Sequence, residues 1–486
     1  MGAEMKGSLM VVGTASHAGK SILVTALCRI LKERGVRVAP FKSQNMALNS
    51  YVCRDGSEIG RAQVAQAEAA GLEPEADMNP ILLKPVGDQR IQVVLHGLVY
   101  ETMSAREYYE RKPFFFDEAL ASFRRLASKF DVVILEGAGS AVEINLKDRD
   151  IVNLPFAKAI GSRAIVVADI DRGGVFASLV GTFALLDDAE RDLVGGFIIN
   201  RFRGDLRLFA GGREFIESRT GRPCFGVMPY IEDLRIDQED SVSLADHRTQ
   251  AGSFHVGVIR LPHISNYTDF NPLESIPGVA LEYLRAADNV PPLDLIVIPG
   301  TKNTIADLRW LLGRGFKKLL LETLERGGWV LGVCGGYQML GRIVSDPFGA
   351  EEGGKQAGLD FLPVETELEL NKVTVQSKGR SFLGPDVSGY EIHMGRTAHL
   401  KSVEPFLTKE DGSNDGAVSG HVGGTYFHGL FENAGFTAKF LTMVAERRRL
   451  DWRPGTIRYS KDDEYDRLAA IAREHLDVER ICSLMQ

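Results

Sequence analysis

The sequence has few cysteines and no pattern among them. Cys28, Cys53, Cys224, Cys334 and Cys482 are odd in number and nowhere spaced as CxxC. That excludes a disulfide framework and a zinc ribbon, and it predicts a reducing, cytoplasmic setting. No apolar run approaches the roughly 18 residues that a membrane span needs. The opening MGAEMKGSLMVVG has neither a signal-peptide core nor the hydroxyl residue a myristoylation signal wants at position six. A soluble protein with no membrane partner is expected. Positive charge is also short: 57 lysines and arginines face 65 acids, a formal net charge of −8. Such a chain offers no field for a phosphate backbone, so no nucleic-acid partner is expected. Internal repeats are absent too.

Glycine, in contrast, is plentiful, with 51 in 486 residues, above the usual share of about 7 %. The glycines follow no collagen period, so their placement carries the information. At 44 % hydrophobic and 25 % charged, the composition is globular, and the length suits two or three domains of roughly 100 to 200 residues.

The first half alternates β-branched runs with helical patterns, the sign of an α/β fold with a parallel sheet. Strands are predicted at Leu9–Val12, Val36–Phe41, Val132–Leu135, Ala164–Ala168, Gly196–Ile199 and Phe225–Met228. Between the first two, Ile22, Leu23, Ala26, Leu27, Ile30 and Leu31 share one helical face, and Gly35 is placed to cap it. The acidic stretch from about Glu232 to Gly252 reads as an interdomain linker or a surface excursion. A second α/β pattern follows, with strands at His255–Leu261, Leu295–Ile298 and Trp329–Val333, then glycine-punctuated β-like sequence from Leu359 to Phe431. Helices are expected at about Ala434–Arg447 and, as one element packing on its own domain, at Asp462–Met485. The expected division is 6–235, a linker at 236–253, a second domain at 254–450 and a helical extension at 451–486.

Two segments carry chemistry. After the first strand, Gly13-Thr14-Ala-Ser-His-Ala-Gly19-Lys20-Ser21 opens the amphipathic helix, which is the context of a P-loop. Small residues let backbone N–H groups surround phosphate, Lys20 reaches the terminal phosphates, and Ser21 ligates magnesium. Five residues, not the usual four, separate the glycines. Glu136, closing the run VVILE, is placed as the metal-side carboxylate. Asp148, Asp150, Asp169 and Asp171 follow strands as further metal or substrate candidates. Asn200 suits purine recognition, and Lys42, Gln44 and Asn45 form a polar loop for substrate on the same edge.

In the second domain, the strand Trp329–Val333 meets Gly332-Val-Cys334-Gly335-Gly336 and then a helix, which is the form of a nucleophile elbow with cysteine in place of serine. His428 is the expected general base, with His393 as competitor. Backbone N–H groups near Gly300 and at Gly335 are the expected oxyanion hole.

These motifs resemble two families joined in one chain. The second region resembles the class I (triad) glutamine amidotransferases. Many members carry a glutamate two residues after the histidine, where this chain has Leu430, and its nearest acid is Glu432, so the resemblance supports a Cys334–His428 pair. The first region resembles the dethiobiotin synthetases, which share the longer phosphate loop and the EGAG segment at Glu136–Gly139. The fused order is that of the cobyric and cobyrinic acid amidases. The segments GTASHAGKS, APFKSQNMALNS, EGAGSAVEINLKDRDIVN, VADIDRGGVFAS and SGYEIHMGRT are similar to the cobyric acid synthase family from about Lys6 onward. The resemblance implies glutamine-dependent amidation of carboxylates b, d, e and g of a corrinoid, adenosylcobyrinic acid a,c-diamide. It also implies ATP and Mg2+ at the phosphate loop. Two alternatives share the motifs: an amidoligase acting on cobyrinic acid or a cell-wall precursor, and a P-loop switch carrying an inactive amidotransferase-like module.

Overall fold

A computed structural model describes residues 7–86, 90–232, 234–237, 252–457 and 459–485. In the amino-terminal half, six parallel strands lie in the order Cys224–Pro229, Val194–Phe202, Arg163–Asp169, Gly7–Gly13, Val132–Glu136, Val38–Phe41. They are the six that the hydrophobic runs predict. Their near-continuous apolar character follows from burial on both faces. The helix Lys20–Glu33 turns Leu23, Leu27, Ile30 and Leu31 inward, and Gly35, at φ 76°, follows its cap.

A second, four-stranded sheet, Gln44–Met46, Ile81–Pro85, Arg90–Leu95 and Leu98–Ser104, branches off beyond Phe41 and was not anticipated. Its last two strands are joined by His96-Gly97, both at positive φ, the two-residue turn whose twist suits a hairpin.

In the other half, Val279–Leu284, Phe254–Ile259, Leu295–Ile298, Trp329–Val333 and Val422–Thr425 form a parallel sheet with Ala417–Ser419 antiparallel at its edge. The strand Val279–Leu284 is an addition to the expected set. The β-like stretch becomes a long antiparallel pair, Val364–Ser381 with Asp386–His399. Most of the expected linker, residues 238–251, lies outside the described residues.

The carboxyl terminus departs from expectation in two ways. It forms two helices, Lys461–His475 and Val478–Ser483. Asp477 parts them by donating its N–H to Phe225 O (2.8 Å) and capping the second helix at Arg480 N (3.1 Å). Nor do these helices pack on the domain that precedes them. Leu468, Ala469, Ala472 and Ile481 join Leu9, Val11, Leu23 and Leu27 in one buried cluster. The chain end thus completes the core of the amino-terminal half, where apolar surface was open beside the helix Lys20–Glu33.

Candidate active sites

At the carboxyl edge of the first sheet, the predicted phosphate-loop residues converge. Lys20 Nζ donates to Ala15 O (3.0 Å) and to Gly139 O (2.9 Å), which brings the EGAG segment against the loop. Thr14 N is anchored on Val167 O (2.9 Å). Gly19, at φ 103°, admits no side chain, because an added Cβ would lie 1.9 Å from Asn200 Nδ2. Asn200 in turn donates to Ala18 O (3.0 Å), so its amide braces the loop from below. Gly13 packs directly on Lys20, where an added Cβ would stand 3.0 Å from Nζ.

Glu136 is the hub of this site. Ser21 Oγ (2.9 Å) and Lys42 Nζ (3.0 Å) both donate to Oε1, and Gln66 Nε2 donates to Oε2. Burial alone would push the Glu136 carboxyl up, but Lys42, Gln66 and Ser21 together hold it below its ordinary value. The hydroxyl of Ser21 and this carboxylate are hard oxygen donors of the kind Mg2+ takes. Among the described residues no group of three or more His, Cys, Asp or Glu side chains forms a metal cage. The donor set therefore fits an ion that keeps water and phosphate as its other ligands.

The remaining candidates divide. Gln44 accepts from Tyr108 OH (2.6 Å), and Asn45 donates to Gln63 Oε1 (2.8 Å) while its own Oδ1 is buried and unbonded. Asp150 accepts from Val152 N (2.7 Å), Asn153 N (3.0 Å) and Asn153 Nδ2 (3.0 Å), and so shapes its own turn. Asp169 and Asp171 pair with Arg201 (3.0 Å) and Arg203 (2.7 Å).

At the second site, Cys334 has φ 52° and ψ −112°, a strained backbone that matches the predicted elbow. Gly336 makes that bend feasible, because an added Cβ would meet Ile298 O at 1.9 Å. Cys334 and His428 line one cavity together with Gly335, Ser265 and Gln338. Gly300 runs past the imidazole, where an added Cβ would stand 3.4 Å from His428 Cε1.

The third member of the constellation is a residue the sequence reading missed. His428 Nδ1 lies 2.6 Å from Asp269 Oδ2, and Asp269 Oδ1 accepts from Gly429 N (3.1 Å). Burial would lower the His428 pKa, but the Asp269 carboxylate and Cys334 outweigh it and raise it to about 10. The Asp269 carboxylate thus favours the protonated ring of His428. Leu430 is buried in the apolar core, and Glu432 turns to Arg61 (2.9 Å) and Lys461 (3.2 Å). His393 also lines the cavity, but its nearest carboxylate, Glu391, is 3.8 Å away and engaged by Ser377 (2.8 Å) and Lys409 (3.1 Å). Asp269 precedes His428 by 159 residues. The signal that marks it is the one used in the first domain, an acid in a loop beyond a parallel strand.

The cavity is closed by the other domain. Leu48, Ser50 and Lys84 from the amino-terminal half are part of its wall. Asn266 Oδ1 accepts from Ser50 N (3.4 Å), and its Nδ2 donates to Ser50 O (3.2 Å) and to Tyr390 OH (3.0 Å). Tyr390 OH reaches the same Ser50 carbonyl (3.2 Å), while its ring stacks on His428 at 5.2 Å. Behind this seal, Glu58 binds both Lys84 of its own domain and Lys372 of the other. Asn49, of the expected polar loop, accepts from Tyr267 N (3.2 Å) across the same seam, whereas Ser50 and Glu58 are not among the expected site residues.

Cysteine, imidazole and carboxylate in this order are the parts of a nucleophilic amidase, and a phosphate loop with its carboxylate is the core of a nucleotide site. Comparison with known proteins agrees with both halves. Residues 9–244 match the family described as the CobQ/CobB/MinD/ParA nucleotide binding domain, and residues 255–436 match the CobB/CobQ-like glutamine amidotransferase domain. The fold and the paired domains define an ATP-dependent, glutamine-hydrolysing amidoligase.

The whole chain is 47 % identical to the cobyric acid synthase of Caldanaerobacter subterraneus, with 98 % of each chain covered. It is 46 % identical to the synthase of Sorangium cellulosum, with 97 % of each covered. It is also 46 % identical to that of Photorhabdus laumondii, over 99 % of this chain and 98 % of the relative. The chain belongs to the cobyric acid synthase family. Among the described residues, no helix is long and apolar enough to cross a membrane.

Proposed function

We propose that the enzyme amidates carboxylates b, d, e and g of adenosylcobyrinic acid a,c-diamide in turn, giving adenosylcobyric acid with glutamine as nitrogen donor. A carboxylate is a poor electrophile. In this reading its oxygen attacks the γ-phosphorus of ATP, the bond to ADP breaks, and an acyl phosphate forms beside Glu136. Lys20 offsets the charge on the transferred phosphoryl group. Lys42, Gln44, Asn45 and Asp150 border the acceptor side, and Asn200 supports the loop under the nucleotide. Ser21 and Glu136 would hold Mg2+, which supplies charge neutralisation to the phosphates.

At the other site, Cys334 gives its thiol proton to His428, and Sγ attacks the glutamine amide carbon. The oxyanion is held by backbone N–H groups at Gly300 and Gly335. His428 gives its proton to the leaving nitrogen, the C–N bond breaks, and ammonia departs from a thioester. Water then releases glutamate, with His428 as base and Asp269 holding the ring. Ammonia displaces phosphate from the acyl phosphate to form the amide.

The observation that carries this reading is the wall of the Cys334 cavity. Residues of the nucleotide-binding half close it, so that ammonia is born facing the domain that consumes it. The test is Cys334→Ser assayed with glutamine and with high ammonium salt. Glutamine-driven synthesis is expected to vanish and ammonia-driven synthesis to persist. Loss of both in a folded protein would overturn the two-site reading.

A further inference from the structure

The cavity that holds Cys334 also presents two opposite charges that make no direct ion pair with each other. Lys302, in the turn after strand Leu295–Ile298, and Glu351, in the turn after strand Ile343–Asp346, both line it. Lys302 Nζ donates to the neutral amide of Gln92 (3.2 Å). Glu351 accepts from Thr304 N at 2.5 Å, the first turn of helix Thr304–Gly313, and its Oε1 lies 3.2 Å from Thr304 Oγ1. Among the described residues, neither has an oppositely charged side chain at ion-pair distance, whereas the neighbouring Lys84 and Lys372 share Glu58.

The turn bearing Glu351 is a built feature. The buried Asp346 carboxylate accepts from Ala350 N (2.7 Å), Glu351 N (2.9 Å) and Gly353 N (2.8 Å) and fixes its path. Half-buried charges without a charged partner are costly. Burial pushes Glu351 up to about 7 and pulls Lys302 down to about 8. A ligand bearing one anionic and one cationic group would restore full charge to both.

We infer that Lys302 and Glu351 are the amino-acid clamp of the glutaminase site: Lys302 takes the α-carboxylate of glutamine and Glu351 its α-ammonium, while the side-chain amide extends to Cys334. The inference rests on the proposed hydrolysis of glutamine in this cavity and names what selects that substrate. A zwitterionic α-amino acid is the one donor class that answers both charges. An amide lacking either group leaves one of them facing the bound ligand without an opposite charge.

The test pairs variants with truncated amides, using ammonia release as the readout. Glutaramate is glutamine without its ammonium, and γ-aminobutyramide is glutamine without its carboxylate. The wild-type enzyme is expected to prefer glutamine to either by at least roughly 50-fold in kcat/KM. Glu351→Gln should lower kcat/KM for glutamine by a similar factor, mostly through KM, and leave glutaramate within about threefold. Lys302→Met should do the same with γ-aminobutyramide as the insensitive amide. An unchanged thermal unfolding transition checks that each variant is folded. Equal losses on glutamine and on the matching analogue would overturn the clamp, as would a wild-type enzyme indifferent to the missing groups. If the wild-type protein releases no ammonia from glutamine at all, the glutaminase reading itself fails.

Discussion

At the phosphate loop, every working side chain comes from one domain. Lys20 and Ser21 open the helix Lys20–Glu33, Lys42 follows the strand Val38–Phe41 and Glu136 closes Val132–Glu136, with Ser21 and Lys42 both donating to Glu136 and Lys20 to Gly139 O. At Cys334, the nucleophile and its partners belong to the second domain, yet the wall is finished by Leu48, Ser50 and Lys84 of the first. The difference teaches how the two reactions are ordered in space. The phosphate-loop site, where the proposed reaction would make the electrophile, draws its side chains from one domain. The cavity at Cys334 is walled by both domains, which on the proposed reading suits a neutral, diffusible intermediate that bulk water would protonate and lose.

The hardest break in the comparison is Lys20→Ala. It should cut amide synthesis by about 10⁴-fold or more with either nitrogen source, because Lys20 is the phosphate-loop cation placed to offset the charge on the transferred phosphoryl group. Glutamine hydrolysis, measured alone as glutamate formed, should continue. A variant that still amidates normally would remove the phosphate loop from the reaction.

Asp269→Asn attacks the other site. Glutaminase kcat should fall roughly 100-fold, less than for a serine nucleophile because a thiol ionises more readily. The pH profile sharpens the prediction. His428 now keeps its proton up to about 10 because Asp269 and Cys334 overcome the burial that would lower it. A neutral Asn lets burial win. His428 then loses its proton at lower pH, and the alkaline limb of the rate profile moves down. Ammonia-driven synthesis should keep the wild-type profile.

The same contrast explains what the sequence made legible. The phosphate loop, Glu136 and the Cys334 elbow are local patterns, in which a strand, a glycine turn and a helix specify the geometry within about ten residues. The six strands of the first sheet were equally readable, since burial on both faces leaves continuous apolar runs. Asp269 was hidden because its partner stands far along the chain and the position the family pattern points to is filled by Leu430, a core residue. Lys302 and Glu351 acquire meaning only when two turns meet over one cavity. The extra four-stranded sheet escaped notice because His96 stands where Asn or Asp would announce a tight hairpin. The carboxyl-terminal helices showed their apolar stripe but not its address. A stripe states that a face is buried, and only the fold says against what.

The subtlest change concerns the seal between the sites. Tyr390→Phe deletes a hydroxyl that donates to Ser50 O (3.2 Å) and accepts from Asn266 Nδ2 (3.0 Å), but keeps the ring stacked on His428. A neutral hydrogen bond of this kind is worth about 1 kcal/mol, so the fold should survive. Asn266, held at φ 50°, loses one of the partners that pin it, and Asp269 follows three residues later with its N–H on Asn266 O (3.1 Å). Glutamine turnover should therefore fall only about fivefold. The sharper readout is coupling, the ratio of glutamate formed to amide formed. In the sealed enzyme that ratio stays near unity. In Tyr390→Phe it should rise, because ammonia escapes where Ser50 has lost one of its three bonds across the seal, and added ammonium should restore the missing amide. A variant with slowed turnover but an unchanged ratio would show that Tyr390 serves the histidine alone, and that the docking of the first domain does not retain the ammonia.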